Sequence, residues 1–361
     1  MSTFHPFEIA VCGYSDSGKT TLVSRLIEHL AGRYRVGYVK HSGHDFEMDR
    51  DGKDTSQARD AGATRVFITN DEKTAMTTNE AVDFVQQRSA FDDCDFVIAE
   101  GWRHADIPKI VIVDEKRAIL GDVEDGEKGP IVAFVGDAGK PEKELPQFGR
   151  DDIPAIADFV TGYFRAAESC PLYGLVLAGG RSTRMKQDKA SLVYAGQTQL
   201  EAAYESLCAV TEATFVSARQ EQWEGGRFDH LPQIHDLFLD CGPSGGILTA
   251  LKAHPGVAWL VLACDLPYLN TETLENLIRT RNPLKIATAY TSANDGLPEP
   301  LCAIYEPRAY ARLLHFVALG YTCPRKVLIN SNVELLELKH ERALDNVNHP
   351  EEYEAAVETL D

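Results

Sequence analysis

The chain lacks most of what would tie it to a membrane, an oxidising compartment or a nucleic-acid surface. No apolar run in its 361 residues approaches the length that spans a bilayer. The N-terminus, MSTFHPFEIA, is without the basic-then-apolar design of a secretory signal, so the expected location is the cytoplasm. None of the 8 cysteines belongs to a CxxC pair, and several sit inside apolar runs such as IAVCG and VLACD. That is the usage of reduced thiols, not of a disulfide framework or a zinc site. Positive charge is short as well: 36 Lys and Arg against 55 Asp and Glu leave a net charge of −19. A general phosphate-backbone surface is thereby excluded, while small anionic ligands stay open wherever cations cluster.

A hydrophobic content of 44% over this length is enough for two domains of ordinary size, each with its own core. The first opens with an apolar strand over residues 7–12, followed by GYSDSGKTT from Gly13 to Thr21 and a helix carrying Leu22, Leu26, Ile27 and Leu30. Strand, GxxxxGKT and helix in that order form the P-loop context. Gly13, Ser17, Gly18, Lys19, Thr20 and Thr21 are the expected nucleotide contacts. Backbone N–H groups face the phosphates at a helix N-terminus, Lys19 reaches the β and γ phosphates, and the Thr20 hydroxyl joins a Mg²⁺ shell. A strand over 35–40 leads into VKHSGHDFEMDRDGKDTSQARDAGA, whose His41 and His44 read as part of a polar phosphate-side loop, since no third metal ligand is in view. Helix start signals fall at 52–55, and further strands at 64–69, 95–99, 109–113 and 131–135. Glu100 ends a buried strand, where open α/β sheets build their ligand sites. It either anchors Mg²⁺ through water and orients the attacking water, or caps a loop. Residues 136–150 are rich in Pro, Gly and charge and read as an exposed loop, after which IPAIADFVTGYF has the periodicity of a closing helix.

From Leu172 the βα alternation restarts without periodic similarity to the first half, so a second domain follows a short linker over 166–171. Leu175, Val176 and Leu177 form a strand suited to cover on both faces, and Ala178, Gly179 and Gly180 let a backbone approach a ligand. Arg181, Arg184, Lys186 and Lys189 then gather cations on an otherwise acidic chain, either as a solvated loop or as a grip on a polyphosphate. Three more motifs accompany this loop. IHDLFLDCGPSGGILTAL carries Asp236 and a glycine turn before an apolar helix; WLVLACDLPYL delivers Asp265 at a strand end; LDNVNHPEEY places Asn346 and Asn348 before a helix near Pro350. Nucleotidyl transfer needs Mg²⁺ on the triphosphate and cations on the departing pyrophosphate, with little covalent help from protein. Asp265 suits the metal, and Lys189 and Arg184 suit the triphosphate. Asp236 either orients base, ribose or metal water or is a turn residue; Asn348 is a ligand contact or a helix N-cap.

GYSDSGKTT, the long VKHSGHDFEMDRDGKDTSQARDAGA segment and AEGWRHADIPKI together resemble the molybdopterin-guanine dinucleotide adapter family MobB, a small P-loop GTP-binding protein. The second half resembles the molybdenum cofactor guanylyltransferases, MobA. The resemblance rests on LAGGRSTRMKQDK, on Asp236 before GPSGG, on CDLP at 264–267, on EPLCA at 299–303 and on NVNHP at 346–350. It departs at Lys186, where the family pattern has glycine, and at Ser244 and Gly245, where it has leucine and alanine; Lys186 is expected to keep a negative φ. The resemblance implies two three-layer α/β domains. Residues 1–169 would be P-loop NTPase-like, GTP-binding and homodimeric, and residues 170–361 a Rossmann-like nucleotidyltransferase. It further implies transfer of GMP from GTP to molybdopterin with release of pyrophosphate, Mg²⁺ as cofactor, and molybdoenzymes or their chaperones as partners. A cytidylyltransferase for the same cofactor, a sugar-nucleotide pyrophosphorylase and a non-catalytic GTP-regulated carrier are the alternatives.

Overall fold

A computed structural model describes residues 4–42, 45–46, 48–113, 129–136, 145–167, 170–179, 189–194, 196–347 and 350–360. The chain divides into two compact units, Met1–Phe164 and Arg165–Asp361.

The first unit is built on β1 (Glu8–Cys12), α1 (Lys19–Leu30), β2 (Val36–Lys40), α2 (Asp54–Asp60), β3 (Arg65–Thr69), β4 (Thr74–Thr78), α3 (Phe84–Ser89), β5 (Phe96–Glu100), β6 (Lys109–Ile112), β7 (Ile131–Val135), β8 (Gln147–Phe148) and α4 (Ile153–Ala167). Six of these strands form a sheet in the order β2-β5-β1-β6-β7-β8, and every pairing in it is parallel. The central strands β1 and β5 are buried along their whole length, as the unbroken apolar runs IAVC and FVIA require of a sheet covered on both faces. Leu22, Val23, Leu26 and Leu30 form the buried stripe of α1.

The strand expected over 64–69 is present as β3, and it pairs antiparallel with β4 as a separate two-stranded hairpin. Its sequence, RVFIT, has strand propensity but leaves Phe67 and Ile68 more than half exposed, so propensity named the element and not its partner. The end of the stretch read as an exposed loop becomes the edge strand β8, which pairs with β7.

The second unit comprises β9 (Leu172–Leu177), β10 (Val193–Tyr194), β11 (Gln197–Thr198), α5 (Gln199–Cys208), β12 (Ala213–Ala218), β13 (Gln233–His235), α6 (Pro243–Ala253), β14 (Ala258–Ala263), α7 (Thr271–Arg279), β15 (Ala287–Thr291), β16 (Pro298–Tyr305), α8 (Ala309–Ala318), α9 (Pro324–Ile329), β17 (Val333–Leu336) and α10 (Pro350–Leu360). The main sheet runs β13-β12-β9-β14-β16-β15-β17, with β16 antiparallel to both neighbours. Two cores flank it, and the period of the strand sorts residues between them. Leu260 and Leu262 of β14 face Leu200, Leu207, Leu274 and Leu277. Trp259 and Val261 face Ile247, Leu251, Leu313 and Val327 on the other side. Helices on both faces of a largely parallel sheet make this a three-layer α/β unit. The parallel strands β12, β9 and β14 therefore deliver their C-terminal ends to one rim, the rim where such sheets bind ligands.

Candidate functional sites

The P-loop of the first unit leaves β1 and turns into α1 through Gly18, whose φ of 85° is left-handed and suits a residue without Cβ. Lys19 is bent back, its Nζ donating to the Tyr14 carbonyl at 2.6 Å. The Ser17 hydroxyl is buried and has no partner among the described residues. Buried polar atoms are almost always bonded, so an orphan in a loop of this kind marks a place kept for a ligand's oxygen. Thr20 Oγ1 donates to Glu100 Oε1 at 2.8 Å, and Tyr38 donates its phenol to Glu100 Oε2 at 2.8 Å. Lys40 Nζ stands 3.1 Å from Oε1. Burial pushes the Glu100 carboxyl upward, but the bonds from Thr20, Tyr38 and Lys40 outweigh it and hold the group below its ordinary value. Burial and Glu100 together push the Tyr38 phenol up to about 12. Glu100 is thus bonded to the P-loop threonine.

Arg150 adds a contact invisible to motif reading: its Nη1 donates to the Ser17 carbonyl at 2.7 Å and its Nη2 to the Val113 carbonyl at 3.1 Å. It lies far along the chain from the P-loop, in a stretch whose composition signals only a loop. Tyr38 and Lys40, two positions apart on β2, carried the one available clue, because alternation puts them on the same side of the strand. His41 is edge-on to Trp102 at 5.4 Å between ring centres, and its backbone N–H bonds to the Glu100 carbonyl. Its predicted companion His44 lies outside the described residues.

In the second unit, Leu177, Ala178 and Gly179 leave the end of β9 beside Asp236. A Cβ placed on Gly179 would sit 3.0 Å from Asp236 Oδ2, so glycine is what lets this carboxylate approach the backbone. Ser217, at the end of β12, donates to Asp236 Oδ1 at 2.7 Å. Burial raises the Asp236 carboxyl above its ordinary value, with the Ser217 bond opposing it. Ser217 was not among the predicted residues; a buried serine ending an apolar strand was its only signal. Asp265 follows β14, the direct neighbour of β9 in the sheet. Its carbonyl accepts from the Val347 N–H at 3.1 Å, which brings Asn346 and Val347 to the same rim. Asn346 is exposed there.

Lys189 opens a short 3₁₀ turn, Lys189–Ser191. Its side chain, together with Gly180, Arg181, Arg184, Lys186 and Asn348, lies outside the described residues. Among the described residues no group of three His, Cys, Asp or Glu is placed to hold a metal. A hard cation at either site would accordingly take one or two protein oxygens and complete its shell from phosphates and water, the arrangement Mg²⁺ favours. Thr20 with Glu100, and Asp265, are the groups that fit.

The departure at 244–245 has a physical basis. Gly245 begins α6 so close to the preceding loop that a Cβ on it would lie 2.3 Å from the Phe238 carbonyl oxygen, which leaves no room for alanine. Ser244 is fully buried, and its hydroxyl has no partner among the described residues.

Geometry and fold thus define a P-loop nucleotide-binding unit followed by a nucleotidyltransferase-type α/β unit. The model of the family described as molybdopterin guanine dinucleotide synthesis protein B, MobB, matches residues 8–137, and that of the MobA-like NTP transferase domain matches residues 174–335. A molybdenum cofactor biosynthesis bifunctional protein of Synechocystis is 40% identical over 193 residues, covering 54% of this chain and 56% of its own length. The match therefore spans little more than half of that relative. A molybdopterin-guanine dinucleotide biosynthesis adapter protein of Haemophilus influenzae is 31% identical over 43% of this chain and 88% of its own. A probable molybdenum cofactor guanylyltransferase of Flavobacterium johnsoniae is 30% identical over 49% of this chain and 92% of its own. The chain belongs to the MobB adapter family through its N-terminal part and to the MobA-like nucleotidyltransferase family through its C-terminal part. No helix among the described residues is long and apolar enough to cross a membrane.

Proposed function

We propose that the second unit transfers GMP from GTP to the terminal phosphate of molybdopterin, releasing pyrophosphate, and that the first unit is a GTP-binding accessory fused to it. The observation that carries this is the meeting of Gly179, Asp236 and Asp265 at one sheet rim, combined with the guanylyltransferase relative that aligns along almost all of its own length. The acceptor phosphate attacks the α-phosphorus of GTP, the α–β bridging bond breaks, and pyrophosphate leaves with its electron pair. Lys189 and Arg184 hold the triphosphate, each contact being charge-assisted. Gly179 and Asp236 take the base and ribose side, and Asn346 and Asn348 are weaker candidates for contacts to the ligands. Asp265 and, in the first unit, Thr20 with Glu100 would hold Mg²⁺, which supplies charge neutralisation on the phosphates. Domain limits at 1–169 and 170–361 belong to this reading. So do delivery of product to molybdoenzymes or their chaperones and self-association of the first unit, for which the exposed Phe67, Ile68 and Met76 offer an apolar surface.

Incubating the full chain with molybdopterin, Mg²⁺ and either GTP or CTP tests the assignment. The dinucleotide product should form with GTP. Product formed only with CTP, or no product with either, overturns it.

A further inference from the structure

Beside Asp265, on the opposite side of β14 from α6, lies a cavity of about 220 Å³. Small residues make it: Ala202 and Ala203 on α5 and Ala263 at the end of β14 leave space that Leu262, Leu266 and Leu269 wall with apolar surface. Polar groups converge on it from the β10–β11 hairpin and α5, namely Tyr194, Gln197, Gln199 and Ser206. Tyr194 and Gln199 are 8% and 6% exposed. The Tyr194 and Gln199 side chains line the cavity, where an occupant can supply hydrogen-bond partners to them. Burial, with neighbouring Tyr353, Tyr268 and Asp265, holds the Tyr194 phenol above its usual range, so it stays a protonated donor.

The chemistry of the lining limits the occupant. Among the described residues no charged side chain lines the cavity, and the leucine walls favour a flat apolar body. Carboxamides offer a paired donor and acceptor, which match the N–H and C=O edge of a 2-amino-4-oxopyrimidine. Guanine and pterin both carry that edge. The guanine already has a place on the β9–β12 side, at Gly179 and Asp236, whereas this cavity adjoins Leu266 and Pro267, immediately after Asp265.

We propose that the cavity lined by Tyr194, Gln197, Gln199 and Ser206 is the subsite for the pterin ring of the acceptor. This rests on the guanylyltransferase reading for the identity of the acceptor, and on the cavity alone for its chemistry. Tyr194 and Gln199 would act in acceptor recognition and specificity and take no part in the chemical step.

The test is direct binding of 6-hydroxymethylpterin to the full chain, followed by quenching of the pterin's own fluorescence, with and without GTP. Saturable binding is expected that GTP does not displace and that Gln199→Leu and Tyr194→Phe each weaken by roughly five- to tenfold, the loss of one buried hydrogen bond. Tyr194→Phe removes a single oxygen and guards against a variant that fails to fold; a third variant, Ala203→Leu, should abolish binding by filling the space. Absence of saturable binding, indifference to all three substitutions, or displacement by GTP each overturns the proposal, the last by making the cavity the guanine site. Variant-sensitive pterin binding by a chain that makes no dinucleotide would keep the cavity and overturn the guanylyltransferase reading instead.

Discussion

In the first unit Lys19, Thr20 and Glu100 are engaged with protein partners, Tyr14, Glu100 and the trio of Thr20, Tyr38 and Lys40 respectively. In the second, among the described residues, Asp236 accepts from the Ser217 hydroxyl and the Asp265 carbonyl accepts from the Val347 N–H. A nucleotide entering the P-loop must exchange existing bonds for new ones, so each phosphate contact returns only the difference between two hydrogen bonds. The rim of the second unit is instead shaped by strand ends and close backbone contacts that exist before any ligand arrives. Preorganisation of that kind suits a site that performs chemistry; bond exchange suits one that senses or holds a nucleotide.

The largest expected effect tests that division directly. Asp265→Ala should lower GMP transfer by roughly 100- to 1000-fold, the usual cost of removing one preorganised group that stabilises developing charge. Lys19→Ala should lower transfer only modestly while abolishing GTP binding at the P-loop, measured by nucleotide titration in the presence of the Asp265→Ala change. Equal losses of transfer from both substitutions would erase the distinction between the two sites.

Next in size is Gly245→Ala. The added methyl group would meet the Phe238 carbonyl, a backbone atom that cannot swing aside, and the expected cost is about 1–3 kcal/mol. In thermal unfolding this should appear in the transition of the second unit alone. An unchanged melting temperature would show that the turn before α6 has slack, contrary to a rim set by close backbone packing.

The Glu100 and Asp236 carboxyls should also respond to pH with opposite sign. Glu100 is held below its ordinary value, so its bonds contribute stability that is present above the unfolded-state pKa and lost as pH falls through the folded one. Glu100→Gln should flatten the acid side of the first unit's stability profile. Asp236 is held above its ordinary value, so stability is present at low pH and lost as pH rises through the folded pKa; ionised Asp236 lowers stability at neutral pH. Asp236→Asn should therefore raise the melting temperature of the second unit at pH 7, by about 1–2 °C, while impairing transfer. Parallel shifts from the two substitutions would refute the assignment.

These contrasts bear on what was legible beforehand. Strand, P-loop and helix follow from local spacing, and so do the apolar strands that end at Glu100 and Asp265, because alternation and glycine placement are written within a dozen residues. Arg150, Tyr38 and Ser217 were not legible as site residues: each acts through a contact across the fold, at |i−j| of 133, 62 and 19 from its partner. The cavity beside β14 was equally hidden, since it arises from the small size of Ala202, Ala203 and Ala263, which look like ordinary helix and strand residues. The hairpin of β3 and β4 shows the same limit, as its strand propensity carried no information about which sheet it would join.

The smallest expected effect separates two serines that look alike. Ser17 and Ser244 both carry a buried hydroxyl with no partner among the described residues. In the P-loop, the Ser17 hydroxyl lies where phosphate oxygens arrive, so Ser17→Ala should weaken GTP binding there while leaving the unliganded chain no less stable. Ser244 sits fully buried at the start of α6, a position where the family pattern has leucine. Removing its hydroxyl relieves an unpaired polar group and opens almost no space, so Ser244→Ala should stabilise the second unit by up to about 1 kcal/mol and leave transfer unchanged. Denaturant unfolding of the two variants with and without GTP reads both effects. If GTP protects the parent chain but protects Ser17→Ala equally well, the P-loop orphan is no ligand contact. Destabilisation by Ser244→Ala would mean that the second orphan is bonded after all, and that the two sites are more alike than their geometry makes them.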